Sequence, residues 1–259
     1  MAGRLDGRVV VVTGGASGIG AALCRGFAAE GAAVAVADLD SDLAENVASE
    51  ISKAGGKALG VAMDVTKRGQ VADGIKQAVG EFGKLDAFFN NAGMNSPMKL
   101  LDVTEDNFDL IMKVNVLGVL LGMQEAAKQF ISQDSPGKIV NTASIAGRTG
   151  FPSFAPYSAA KSAVISLTQA GARAWGGQKI TVNGFAPGVV DTPLWVKLDE
   201  ELEAIGEAEG KMDKLSSQII LGRAALPEDI VPTGIFLAGA DSDYITGQII
   251  PIEGGMILV

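Results

Sequence analysis

Arg8-Val-Val-Val-Val-Thr-Gly-Gly-Ala-Ser-Gly-Ile-Gly20 is a valine run that ends on a glycine cluster. No polar residue alternates with the valines, so they read as a strand buried on both faces. Residues 21–30 follow with helical spacing and stop at Gly31. Strand, glycine turn and helix together suit a dinucleotide. Glycines let the backbone approach a pyrophosphate, and the helix N-terminus supplies free N–H groups. The glycines here, Gly14, Gly18 and Gly20, are spaced Gly-x-x-x-Gly-x-Gly, which a turn without a ligand also permits. Residues 32–37 read as a second strand, closed by Asp38. An acidic residue about twenty positions past the glycines accepts hydrogen bonds from an adenosine ribose. It also repels a 2′-phosphate, and no Arg or Lys stands at Ser17 or Leu39. NAD is therefore expected over NADP. Alternatively, Asp38 caps the helix over 43–53.

The alternation continues. Residues 57–63 read as a strand before Asp64, whose carboxylate either meets an adenine amino group or caps the helix over 67–82. Residues 85–89 read as a strand ending in Asn90-Asn91-Ala92-Gly93, a loop beside a ligand or a plain turn. Thr104 caps a helix running to about residue 130. Asn115 lies inside it among Val114, Val116 and Leu117, where a buried amide must find partners. Strands over 138–142 and 179–185, a helix over 227–238 and a strand over 248–252 complete the chain. No repeat or linker divides it, so residues 1–259 read as one α/β domain.

The chemistry concentrates after residue 142. Tyr157 and Lys161 stand four apart in an Ala/Ser-rich helix and share a face. A fixed cation beside a phenol lowers its pKa from ~10. Ser144, at the carboxyl end of a strand, could hold a substrate oxygen while Tyr157 moves a proton.

Composition narrows the field. The chain has no histidine and one cysteine, Cys24. Ser-His-Asp and Cys-His hydrolases and Cys/His zinc sites are excluded, and no metal is expected. Cys24 reads as a packed core thiol. The net charge of −9 argues against nucleic acid and anionic membrane as partners. No signal peptide is evident at the start, and a cytoplasmic protein is expected.

Together these motifs resemble the short-chain dehydrogenase/reductase superfamily over almost the whole chain. The resemblance rests on the glycine turn, Asn90-Asn-Ala-Gly93, Asn115, Ser144, Tyr157-x-x-x-Lys161 and Pro187-Gly188. It implies a Rossmann-type, doubly wound parallel sheet of about seven strands. It implies a catalytic tetrad of Asn115, Ser144, Tyr157 and Lys161, with Tyr157 as acid/base and Ser144 on the substrate oxygen. Lys161 would lower the tyrosine pKa and hold the nicotinamide ribose, and Asn115 would be satisfied by a water chain. Cofactor contacts would extend over Ser17, Ile19, Leu39, Asp64, Val65, Asn90, Ala92, Gly93, Tyr157, Pro187 and Gly188, with Val190 and Thr192 on the carboxamide.

Within the superfamily, Asp241 to Gln248 and Glu253-Gly-Gly-Met256 resemble butanediol dehydrogenases (acetoin or diacetyl reductases). Sorbitol-type polyol dehydrogenases share much of the same text. A small alcohol or ketone substrate is expected, with Asn95, Ser144 and Trp195 near it. Residues 190–215, rich in Asp199, Glu200, Glu201, Glu203, Glu207 and Glu209, read as a lid or a solvated helix. Reduction of a 3-oxoacyl group on an acidic carrier protein is the rival activity, opposed by the acidic charge. A non-catalytic NAD-binding protein is the rival class. The family also implies a homotetramer, a dimer of dimers through the long helices, with the apolar tail over residues 256–259 burying a second interface.

Overall fold

In the computed structural model, residues 3–258 are described, with only the backbone of Glu209. Seven strands form one parallel sheet in the order β3-β2-β1-β4-β5-β6-β7. They are β1 (Val9–Thr13), β2 (Ala33–Asp38), β3 (Lys57–Ala62), β4 (Ala87–Asn90), β5 (Gly137–Thr142), β6 (Ile180–Pro187) and β7 (Ile249–Ile252). The order reverses between β1 and β4, so a crevice opens at their carboxyl ends. β7 is an edge strand, where Pro251 leaves no ladder hydrogen bond missing.

Both faces are covered, which is why β1 can be valine throughout. Val10 and Val12 face a core with α1 (Gly18–Ala29), α2 (Ser41–Lys53) and α9 (Pro227–Ala238). Val11 faces the opposite core, with α3 (Arg68–Phe82), α5 (Gly118–Ser132) and α6 (Ala155–Trp175). Cys24 lies in the first core, fully buried, and burial pushes its thiol up, as a packed thiol requires.

The predicted helix from Thr104 is continuous but not uniform. It comprises α4 (Glu105–Met112), a π-helical turn (Lys113–Leu117) and α5. The run Glu105–Ser132 is long and apolar enough to cross a bilayer. Here Val119, Met123, Ala126 and Phe130 pack against the sheet. The segment after β6 comprises α7 (Pro193–Ala204), a 3-10 turn (Ala208–Gly210) and α8 (Met212–Ser216). Leu202 and Leu215 turn inward with Phe154, Val189 and Ile219. Met256, partly buried, packs against this same cluster. Leu258 is exposed, and Val259 lies outside the described residues.

Candidate active site

The glycine turn is locked by its neighbours. Gly14 (φ 62°) and Gly18 (φ 49°) are left-handed, and a Cβ on Gly20 would overlap the Gly14 carbonyl. The Asp38 carboxylate accepts hydrogen bonds from the N–H of Ala16 (3.0 Å) and of Asp40 (3.2 Å). Asp38 therefore buttresses the turn while facing the crevice. It does not cap α2; Asp40 does, accepting from the N–H groups of Asp42 and Leu43. Asp64 does not cap α3 either, whose N-cap is Lys67. Its carboxylate accepts from the Thr66 N–H (2.9 Å) and hydroxyl (2.7 Å). Burial alone would raise the Asp64 carboxyl, but those bonds and nearby Lys67 and Lys113 hold it below its ordinary range.

The loop after β4 corrects one expectation. Asn90 is a buried strut, not part of the crevice wall. Its Nδ2 donates to Asn141 Oδ1 (2.8 Å), and α5 presses on it so closely that a Cβ on Gly122 would overlap its amide. Asn91, which the sequence reading passed over, does line the crevice. Its Nδ2 donates to the carbonyls of Thr13 (3.1 Å) and Gly14 (3.2 Å), and its Oδ1 accepts from Thr142 (3.3 Å). Thr13 Oγ1 accepts from the N–H groups of Asn91 and Ala92, each at 3.0 Å. The ends of β1, β4 and β5 are thereby cross-linked. Two adjacent asparagines at a strand end differ in facing, and strand alternation was the signal that could have separated them.

The crevice has a volume of about 600 Å³. Of the expected cofactor residues, Gly14, Ser17, Gly18, Ile19, Gly20, Asp38, Leu39, Asp64, Val65, Ala92, Gly93, Tyr157, Lys161 and Thr192 line it. Pro187, Gly188 and Val190 line an adjoining cavity instead. Gly188 is explained by packing, since a Cβ there would sit 2.8 Å from Glu253 Cβ.

The four expected catalytic residues converge from three elements. Ser144 follows β5 and opens a 3-10 turn, its Oγ accepting from the Ala146 N–H (3.1 Å). Tyr157 and Lys161 come from the first turns of α6, where Pro156 is the second residue. Lys161 Nζ donates to the Thr142 carbonyl (2.8 Å) and lies 5.5 Å from the Tyr157 ring centroid. Here the geometry departs from expectation. Tyr157 is half-buried and opens onto the cavity. Burial pushes its phenol up to about 12, against the hydrogen bond shared with Ser144. Burial also pulls Lys161 down to about 8. The Lys161 charge is spent on a carbonyl rather than on the phenol oxygen, so the lowered tyrosine pKa expected from the sequence is not a property of the protein alone.

The side-chain amide of Asn115 finds its partners in the protein. Its Nδ2 donates to the carbonyls of Met94 (2.8 Å) and Ile111 (3.0 Å), and its Oδ1 accepts from the Met94 N–H (3.3 Å). The π turn around it changes the helix ladder locally and turns its amide toward the β4 loop. A Cβ on Gly93 would lie 2.8 Å from Asn115 Oδ1 and 3.5 Å from Lys161 Nζ. Gly93 thus keeps a gap open between those two groups.

The adjoining cavity, about 130 Å³, is walled by Ile145, Phe151, Phe154, Val189, Trp195 and Leu198, with Asn95, Thr142, Ser144, Tyr157 and Thr192 as polar members. Phe154 and Trp195 meet edge to face at 6.4 Å. Ser153 donates to Glu207 Oε2 (3.1 Å), tying the loop before α6 to the segment over the cavity. Glu207 is therefore not simply solvated.

This arrangement recurs in known proteins. Residues 8–203 match the family model described as short chain dehydrogenase. The L-2,3-butanediol dehydrogenase of Corynebacterium glutamicum is 41% identical over 96% of this chain and 98% of its own. The 3-oxoacyl-[acyl-carrier-protein] reductase of Thermotoga maritima is 35% identical over 98% of this chain and 100% of its own. The crystal structure of a short-chain type dehydrogenase/reductase from Mycobacterium marinum superposes with a TM-score of 0.90 at 36% identity, covering 98% of this chain and 97% of that one. With the sheet order, the glycine turn and the Ser144–Tyr157–Lys161 geometry already in place, these likenesses show that the chain is an oxidoreductase and belongs to the short-chain dehydrogenase family.

Proposed function

We propose that the chain is an NAD-dependent dehydrogenase interconverting a secondary alcohol and a ketone on a small vicinal diol of the butanediol–acetoin kind. One observation carries this reading. The long crevice and the small apolar cavity share a wall made of Ile19, Thr142, Tyr157, Thr192 and Leu194. A cofactor in the first and a substrate in the second would meet at Tyr157.

The residues fit a nicotinamide dinucleotide. The glycine turn and the α1 N-terminus offer N–H groups to a pyrophosphate. Asp38 keeps acceptor capacity for a ribose diol beyond its two backbone bonds. Bound there, NAD would take up or return a hydride at its nicotinamide ring. Ser144 holds the reacting oxygen, and Tyr157 gives or takes its proton. Lys161 places a cation beside the ring face of Tyr157 and within reach of a nicotinamide ribose. Asn115 positions the Gly93 loop through its three bonds to Met94 and Ile111. Residues 190–215 act as the substrate lid, with Trp195 and Leu198 on its inner side.

The oxoacyl-carrier rival is disfavoured because an acidic carrier would meet a protein of net charge −9. A non-catalytic role is disfavoured by Ser144, Tyr157 and Lys161 standing together where the crevice meets the cavity. For assembly we propose the homotetramer, because Leu101, Phe108, Leu110 and Leu117 are exposed along the α4 region. A single buried free thiol suits a reducing compartment, so the cytoplasm is the proposed location.

The test is NADH formation from 2,3-butanediol stereoisomers and sorbitol, alongside Tyr157→Phe. Turnover of a butanediol, lost in the variant, is expected. A folded wild type that oxidises no secondary alcohol with NAD or NADP would overturn the reading.

A further inference from the structure

Asn95 lies in the wall of the substrate cavity and is only 5% exposed. Its Oδ1 accepts from the Ser96 N–H (2.9 Å), which fixes which end of the amide carries the hydrogens. Its Nδ2 has no acceptor among the described residues. It is also absent from the fully enclosed unpaired atoms, so it opens onto the cavity. Buried donors are ordinarily paired, and an unpaired one at a cavity wall asks for a ligand acceptor.

The segment around Asn95 holds it in place. Met94 is bonded through both its N–H and its carbonyl to Asn115. The Ser96 carbonyl accepts from Asn107 (3.3 Å), and the Met98 N–H donates to Ser153 (3.1 Å). The amide is therefore preorganised. The other deeply buried polar groups of the wall are engaged, Thr142 with Asn91 and Ser144 with Ala146.

We propose that Asn95 is a specificity-determining residue: its Nδ2 donates to the second oxygen of a two-oxygen substrate while Ser144 and Tyr157 take the reacting one. This rests on the dehydrogenase reading above and narrows it. The substrate class is a compact diol, hydroxyketone or diketone with apolar ends. A longer polyol is excluded, because its further hydroxyls would face Ile145, Phe154 and Leu198 unpaired. Size agrees. The cavity, about 130 Å³, is close to the ~150 Å³ that holds a benzene-sized molecule. Butanediol has as many non-hydrogen atoms as benzene, and sorbitol has twice as many.

The experiment compares kcat/KM for two-oxygen and one-oxygen partners, 2,3-butanediol with 2-butanol and diacetyl with 2-butanone. Wild type should prefer the two-oxygen member of each pair. Asn95→Ala should lower that preference about tenfold or more, with the one-oxygen substrates little changed. Asn95→Asp keeps the shape and the acceptor for Ser96. It should retain the diol, whose hydroxyl can donate, and lose the diketone, whose carbonyls cannot. NAD binding checks that each variant is folded. Equal losses on one- and two-oxygen substrates would mean a structural role and overturn the proposal, as would no loss at all. A wild type without any alcohol turnover removes the dehydrogenase reading itself, whereas turnover with an Asn95-independent preference removes only this inference.

Discussion

Replacing Lys161 by methionine should abolish turnover and relieve a folding cost that depends on pH. Lys161 is 2% exposed, and burial draws its ammonium from 10.5 down to about 8. At ~1.4 kcal/mol per pH unit, holding that charge in the folded chain at pH 7 costs about 3 kcal/mol. Between about 8 and 10.5 the unfolded chain keeps a proton that the folded chain has lost, so stability rises with pH. The contribution is complete above 10.5 and is lost as pH falls through about 8. Methionine keeps a similar length without the charge. It also strips the Thr142 carbonyl of its 2.8 Å donor, a loss of ~1–3 kcal/mol that does not vary with pH. The net change at pH 7 is therefore a small gain, ~0–2 kcal/mol. The sharper expectation is the trend: the stability of the variant minus that of wild type should fall by most of about 3 kcal/mol between pH 7 and pH 10, passing from a small gain to a loss. Tyr157 acts in the opposite sense. Its raised pKa gives a contribution present below about 10 and lost as pH rises through about 12, so the series stops at pH 10. Urea unfolding without cofactor at four pH values measures it. A stability difference between variant and wild type that stays flat with pH would refute the reasoning.

Tyr157→Phe should retain NAD binding and lose ~10²–10⁴-fold in kcat, with wild-type alcohol oxidation rising toward alkaline pH. Near-normal turnover in that variant would dismiss Tyr157 as the acid/base. Asp38→Ala should erode a preference for NAD over NADP and loosen the turn at Ala16, read as the ratio of kcat/KM with the two cofactors. Equal wild-type use of both would refute the role given to Asp38. Light scattering should give a tetramer at micromolar concentration, and a monomer would leave the exposed leucines of the α4 region unexplained.

The sequence was most legible where one local rule decided the outcome. The valine run, the glycine cluster and the following helix are fixed by burial and backbone freedom within a dozen residues, and β1, its turn and α1 fall where expected. Tyr157 and Lys161 share a face because α6 is regular there. Legibility failed where two distant segments decide together. Asn90 and Asn91 are chemically identical; strand alternation says that they face opposite ways, but the approach of α5 at Gly122 and the end of β5 decide which faces the core and which the crevice. Asn115 looked like a core amide or a water-bound one, but its partners depend on a π turn that no residue type announces. Lys138 reads as a strand start, yet it is buried against Asp243 (2.6 Å), more than a hundred residues away. The Tyr157 pKa went astray for the same reason. Spacing put a cation near the phenol, but the carbonyl that claims the cation lies on another element.

That last discrepancy bears on direction. With Tyr157 pushed up to about 12 and Lys161 down to about 8, both protons are in place at pH 7. A protonated phenol is the form that donates to a carbonyl oxygen, so under the proposed mechanism the cofactor-free site holds the proton that ketone reduction uses. Oxidation needs a phenolate, and the protein opposes it by burying the ring in an apolar cavity with only Ser144 in support. The same burial keeps that cavity small and largely apolar. Cavity size and the Tyr157 proton thus trace to one cause, the packing of Phe154 and Trp195 with Tyr157. Opening the cavity to water would ease ionisation of the phenol and admit larger alcohols together. The two properties should therefore move in parallel in any variant that trims that wall.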